Sequence, residues 1–335
     1  MKLPDDIALL ATVCNTTPNA VPFTLWYACG ADEYLVDLSD VLGLPGDGGL
    51  TGLACVGDRI YAAVQSSDAP RILVLDRALA HVATITHPQF KDIHSLHGME
   101  SALLVCSTAA QSVLRVDIDR HEVASSGVTT LCTFDSPVHL NSACFDGADL
   151  LVCCHYPERV IAGAMGGGVI NATHRQVVLG GLTQPHSLTP NGSGYLILDS
   201  DGRRIIRFDH TGVTGQQALS GFPRGIATAN GALFVASSAG RVISRKNPVA
   251  PPGRQFWQAV AEPPAIHELD EWSLARRAMH IPLIAGFEIY ELLAFSGAGA
   301  IAPAPDRLIR PDPLSLARAY YEAAKHALAQ RHQRP

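Results

Sequence analysis

Tyr195-Leu-Ile-Leu-Asp-Ser-Asp-Gly-Arg-Arg-Ile-Ile-Arg-Phe-Asp209 is two short, β-rich runs around Asp201-Gly202. A Gly-containing polar break between two such runs reads as a hairpin. Just upstream, the unit opens with His186-Ser-Leu. Four other segments repeat the arrangement. Thr51-Gly-Leu-Ala precedes Arg59-Ile-Tyr-Ala-Ala-Val, and His94-Ser-Leu precedes Ala102-Leu-Leu-Val-Cys. Asn141-Ser-Ala precedes Leu150-Leu-Val-Cys-Cys, and Arg224-Gly-Ile precedes Ala232-Leu-Phe-Val-Ala. The opening residues recur every 38 to 47 positions. A period of that length, holding several strands per repeat, is the signature of a β-propeller.

The predicted fold is therefore all-β: a six-bladed β-propeller, with five or seven blades as the alternatives, and residues 1–310 as a single propeller domain. Residues 6–14 and 33–39 are expected to be strands of an incomplete first repeat, and Ile281–Phe295 returns to apolar β character. Pairing of these two ends of the chain would complete the sixth blade and close the ring, which removes exposed sheet edges. His267–Met279 reads as more helical, a helical insertion near 265–280 covering one rim. Residues 311–335 are predicted to form a C-terminal helix packed on the propeller. Asp312 is its N-cap, Pro313 lies in its first turn, and Leu314, Leu316, Ala317, Tyr320, Ala324 and Leu328 form its apolar stripe. A homodimer contact through this helix is the alternative use of that stripe.

Hydrophobic residues make up 47% of the 335-residue chain and charged ones 17%, enough to build a sizeable core. The net charge of −6 and the lack of a basic stripe offer no electrostatic footprint for nucleic acid or an anionic membrane. Acidic residues precede the first apolar run, unlike a signal peptide. No run approaches the roughly 18 apolar residues of a membrane span. The eight cysteines lie mostly within apolar strand-like runs and read as reduced, buried small hydrophobes. A cytoplasmic location is expected.

Propellers direct equivalent positions of successive repeats toward one axis. Aligning the repeats gives two layers, since residues two apart on a strand share a face. One layer holds Thr51, His94, Asn141, His186 and Arg224; the other, two residues earlier, holds Asp92, His139, Gln184 and Phe222. Polar groups concentrated beside apolar strands suggest a solvated or ligand-filled funnel, because burying them unpaired costs roughly 2–7 kcal/mol each. His94, His139 and His186 could hold a divalent transition metal (Zn, Fe or Mn) with an open position for water or substrate. Glu288 would be a fourth ligand or a general base, with Tyr290 on the same face. Arg224 would clamp an anion, and Asn141 would orient substrate or a ligand histidine. His97, His155, His81 and His87 fall outside this register argument and read as loop or rim residues.

The copy at 186–209 resembles repeats of the NHL, SMP-30/gluconolactonase and strictosidine-synthase group of propellers, a likeness of repeat style over about residues 45–245. Pro185-His-Ser-Leu, Gly221-Phe-Pro-Arg-Gly-Ile and Glu288-Ile-Tyr are more narrowly similar to a poorly characterised bacterial family of conserved propellers. The Glu, Asn and Asp calcium ligands of the SMP-30 enzymes are not reproduced.

The leading functional expectation is a metal-dependent lyase, isomerase or hydrolase acting on a small anionic or carbonyl-containing metabolite. A second is a metal-free acid–base enzyme of the strictosidine-synthase kind, with Glu288 moving protons. The two differ in whether the three histidines converge on one point at metal-ligand distance. A third is a non-catalytic propeller that binds protein through rim loops, which would need large apolar rim patches.

Overall fold

The protein is described here from a computed structural model covering residues 3–16, 18–118, 125–239, 263–284, 288–297 and 301–312. Four separate four-stranded antiparallel sheets follow one another along the chain. The first contains β8 (Ile93–Gly98), β9 (Ala102–Ser107), β10 (Ser112–Ile118) and β11 (Ser125–Thr133). The second contains β12 (Leu140–Asp146), β13 (Asp149–Cys154), β14 (Gly167–Asn171) and β15 (Gln176–Leu182). The third runs through β16 (Pro185–Asn191), β17 (Gly194–Asp199), β18 (Arg204–Asp209) and β19 (Gly212–Ala218). The fourth has β20 (Phe222–Ala229), β21 (Ala232–Ser238), β22 (Ala265–Asp270) and β23 (Arg276–His280).

The remaining strands form a nine-stranded sheet with two recognisable parts. One part is β4 (Asp47–Val56), β5 (Arg59–Ser66), β6 (Arg71–Leu75) and β7 (His81–Ile85). The other pairs β24 (Glu288–Ser296) with β1 (Ile7–Cys14), followed by β2 (Leu25–Cys29), β3 (Asp32–Val36) and the short β25 (Leu308–Ile309). The parts meet at the Cys14↔Gly49 pair. Strand β24 runs antiparallel to β1 from Ile7↔Ser296 to Cys14↔Glu288, so the expected pairing of the two chain ends is present.

The first strands of these units, β24, β4, β8, β12, β16 and β20, are neighbours in turn, and β20 packs back on β24. The cores lie between the faces of adjacent sheets. Tyr61, Ile72 and Val74 of one meet Leu103, Val105 and Leu114 of the next, and all six are buried. Strands buried on both faces need unbroken apolar runs, which explains sequences such as Ala102-Leu-Leu-Val-Cys. Outermost strands face water, and Gln176–Leu182 and Gly212–Ala218 are largely exposed. Cys153 and Cys154 point into different cores, and all eight cysteines are free thiols.

One expectation needs amending. The segment near 265–280 is a pair of strands, β22 and β23, joined by a turn at 271–275. Its Ile266 and Leu269 are buried, and β22 pairs along its length with β21, so sheet pairing outweighs the helical propensity of Glu268-Leu-Asp-Glu-Trp. The C-terminal helix expected over 311–335, and any dimer contact it makes, falls beyond the described residues, which end at Asp312. Among the described residues, no helix is long and apolar enough to cross a membrane.

Candidate active site in the central funnel

Each first strand carries an irregularity where the sequence alignment placed the axis residues. The register slips between Leu50 and Leu53, Ile93 and Ser95, Leu140 and Ser142, His186 and Thr189, and Pro223 and Gly225. On the closing unit the slip lies between Ala11 and Val13, opposite Tyr290-Glu291. A β-bulge re-aims a side chain. Thr51, His94, Asn141, Arg224 and Tyr290 sit at these bulges, and His186 immediately precedes one. Two residues before the axis residue the backbone turns left-handed, at Gly49 (φ 115°), Asp92 (54°), His139 (55°) and Gln184 (52°), but not at Phe222, where the positive φ falls on the preceding Gly221 (70°). The left-handed turn thus marks the second layer at Asp92, His139 and Gln184, with Phe222 as its exception.

A third register was missed. The residue following the β9, β13 and β17 ladders, and the last of β21, is Thr108, His155, Ser200 or Ser238. Three of these hydroxyls stitch one unit to the next. Thr108 Oγ1 donates to the Leu140 carbonyl, Ser200 Oγ to that of Pro223, and Ser238 Oγ to that of Ile289. His155 replaces the hydroxyl, and its Nε2 is buried with no hydrogen-bond partner. The reading of His155 as a rim residue is corrected. Imidazole at a position otherwise held by Ser or Thr was the available signal.

His94, His139, His155, His186, Arg224 and Tyr290 line a cavity of about 1570 Å³. Along one wall run four imidazoles. His94 meets His139 edge-on with ring centroids 5.1 Å apart, and His139 stacks on His155 at 4.3 Å. His155 in turn meets His186 at 5.5 Å. Asn141 Nδ2 donates to the Pro185 carbonyl, leaving its Oδ1 to accept from His94 Nδ1 at 3.0 Å. His186 Nδ1 lies 2.9 Å from the Gln184 carbonyl and 2.8 Å from Ser200 Oγ. A carbonyl only accepts, so Nδ1 carries the proton and the lone pair of neutral His186 resides on Nε2. Burial, then the charge of Arg224, holds His186 well below the ordinary imidazole range. His155 is lowered likewise, by burial first and then by His139, His94 and Arg224.

Opposite stands Arg224, 8% exposed, its guanidinium 5.0 Å from the centroid of Phe222 and 4.8 Å from that of Tyr290. Such stacking fixes the guanidinium plane. Its Nη1 is 3.3 Å from Glu288 Oε2. Glu288 also accepts from Asn15 Nδ2 at 2.9 Å, and Asn15 exchanges hydrogen bonds with Gln65. Glu288 is therefore a partner of Arg224, supported from behind.

The expected metal triad is not assembled. Among the described residues, no group of three or more His, Cys, Asp or Glu side chains is disposed to hold a metal ion. Nδ1 of His94 and of His186 is already engaged, and His139 lies flat on His155, so the rings meet by face and edge and their nitrogens do not converge. His94, His139 and His186 share a wall, while Glu288, Tyr290 and Arg224 form the facing group.

The chain's sequence matches no family profile and no curated protein. Its fold is similar to solved structures. A chain of the nidogen/laminin complex superposes with TM-score 0.57 at 11% identity, over 89% of this chain and all of that one. A Bacteroides caccae protein of unknown function gives 0.55 at 12% identity, over 86% and 98%. The β-propeller domain of Cps50 (Swd1) from Myceliophteria thermophila gives 0.41 at 13%, over 83% and 89%. The ring of four-stranded sheets is a β-propeller arrangement, and the likenesses at TM-scores of 0.57 and 0.55 speak to fold alone.

Proposed function

We propose that the chain is a six-bladed propeller enzyme whose funnel carries out proton transfer on a small anionic or carbonyl-containing metabolite, in a lyase or isomerase type of reaction. The cyclic order of six first strands supports the blade count. The observation that carries the chemistry is the pairing of a neutral, oriented imidazole with a buried, stacked arginine. His186 is the general base: its proton is held on Nδ1, and its Nε2 is the basic atom. Arg224 stabilises the negative charge that develops when a proton leaves carbon beside a carbonyl or carboxylate. Glu288 positions Arg224, Asn141 orients His94, and Tyr290 and Phe222 hold the guanidinium plane. His155 is a second neutral imidazole beside the base. This is the acid–base alternative with the base moved from Glu288 to His186, because Glu288 is committed to Arg224 and Asn15.

The test is hydrogen exchange. Wild-type protein is incubated in D₂O with a panel of small keto and hydroxy carboxylates, and deuterium incorporation at carbon is followed by NMR. His186→Gln is expected to lower the exchange rate by about 10²–10⁴-fold in a protein that remains folded. Exchange unchanged in that variant would remove His186 from the role.

A further inference from the structure

Two features of the funnel floor narrow what it can take. The first is a set of buried nitrogens with unmet hydrogen bonds. Arg224 Nε has no hydrogen-bond partner among the described residues, Arg224 Nη1 has only its ion-pair contact with Glu288 at 3.3 Å, and His155 Nε2 has no hydrogen-bond partner. Leaving a buried polar group unpaired costs about 1–3 kcal/mol, more for a charged one, and native proteins rarely leave several together. The guanidinium N–H groups need an oxygen acceptor, and the imidazole nitrogen needs a polar partner. The second feature is the charge balance. Lys91 and Arg159 line the mouth and are exposed, and Arg159 lies over Tyr156. The buried cation lining the cavity is Arg224, whose charge is already matched by Glu288 at 3.3 Å. Around it, His186 and His155 are held neutral chiefly by burial, and His94 has Asp92 3.6 Å from its Nε2. A dianion at this floor would face one guanidinium already paired with Glu288 and would lose its hydration without a matching counter-charge. A single carboxylate needs only the one fork.

We infer that the floor is a site for one singly charged carboxylate, borne on a flat unsaturated body, and that it discriminates against phosphate. The inference rests on the proposed function for its location and names the substrate class. The carboxylate lies on the open edge of Arg224, in the guanidinium plane that Phe222 and Tyr290 fix. The body lies among the rings of Phe222, Tyr290 and His155, each of which stands edge-on to His186 with ring centroids 5.6, 6.5 and 5.5 Å from it. Aromatic faces favour a flat partner over a tetrahedral one.

The probes are sodium benzoate, sodium acetate and inorganic phosphate, with binding to the full chain followed by saturation-transfer NMR and calorimetry at fixed ionic strength. Benzoate is expected to bind at least several-fold tighter than acetate, and phosphate not to displace it at equal concentration. Arg224→Met alone strands Glu288 in a buried site, so the decisive variant is Arg224→Met/Glu288→Gln, which removes both charges. It is expected to weaken benzoate tenfold or more while keeping the wild-type melting profile. Phosphate binding as tightly as benzoate, or benzoate retained by the double variant, would overturn the inference. Benzoate bound through Arg224 without any carbon-bound hydrogen exchange would sink the enzymatic reading and leave the carboxylate site standing.

Discussion

Glu291 is the residue whose surroundings most contradict its type. It follows Tyr290 at the level where the other units have Gly52, Ser95, Ser142, Ser187 and Gly225, small residues that let first strands approach. A Cβ on Gly225 would lie 2.8 Å from the Leu292 nitrogen. Glu291 accepts from the Ile226 and Leu292 amides and touches Ser187 Oγ, tying together three units just beside Arg224, Tyr290 and His186. Burial pushes its carboxyl up to about 8. A carboxyl raised in the fold above its unfolded value of about 4.3 gives stability that is complete below that value and lost as pH rises through 8. His267 acts oppositely: burial holds it down to about 4, so its contribution is lost as pH falls from about 6.5 toward 4. The two slopes oppose each other between about pH 4.3 and 6.5, so urea midpoints measured from pH 4 to 9 are expected to stay level up to about 6.5 and to fall from there to about 8. Glu291→Gln should remove the alkaline fall and expose the His267 slope below about 6.5, its advantage over wild type growing from about pH 4.3 to 8 and then levelling. Parallel curves for the two proteins would show that Glu291 does not titrate in this window. None of this was legible beforehand, since Glu291 looked like one more polar residue in Glu288-Ile-Tyr-Glu.

At the scale of the strand, much was legible because a repeat reports each position several times over. Comparing His94, Asn141, His186 and Arg224 located the bulges without revealing that they were bulges. The same comparison placed Asp92, His139 and Gln184 in one layer, and the structure supplies the reason for that layer's prominence: the backbone there is left-handed. Two failures have physical causes. Helical propensity near 265–280 was a local signal overruled by pairing with β21, which sequence distance hides. His155 was missed because its register is defined by the second strand, and only first strands had been aligned. Asp201-Gly202 gave the hairpin correctly, though Gly202 serves proximity: a Cβ there would collide with the buried Asp199 carboxylate, which accepts from the Thr183 amide and from Arg204. The left-handed layer yields a paired expectation. Gln184→Gly should be neutral or stabilising by up to about 1 kcal/mol, since a non-glycine residue in this region costs about 1–2 kcal/mol. Gly49→Ala should cost more than about 2 kcal/mol, because its Cβ would meet the Val13 carbonyl oxygen at 2.5 Å as well as strain the backbone. Chemical denaturation decides both, and equal losses would mean that the left-handed turn is not the controlling feature.

For the molecule as a whole, one strand closes the structure and completes the site. β24 supplies the partner edge for β1 and also Glu288, Tyr290 and Glu291. A chain ending at residue 287 is expected to lose cooperative thermal unfolding, because β1 would keep a long unpaired edge of buried residues, Ile7 to Cys14. A sharp transition retained in that truncation would show that the other sheets fold without the closing strand. The histidine wall, by contrast, is built wholly from residues 94–186. During synthesis, then, the imidazoles and Arg224 leave the ribosome well before the strand that supplies their facing partners. A growing polypeptide would hold an unbalanced guanidinium and no finished floor until its β24 stretch docks beside β1, so the proposed chemistry would have to wait for that strand to arrive.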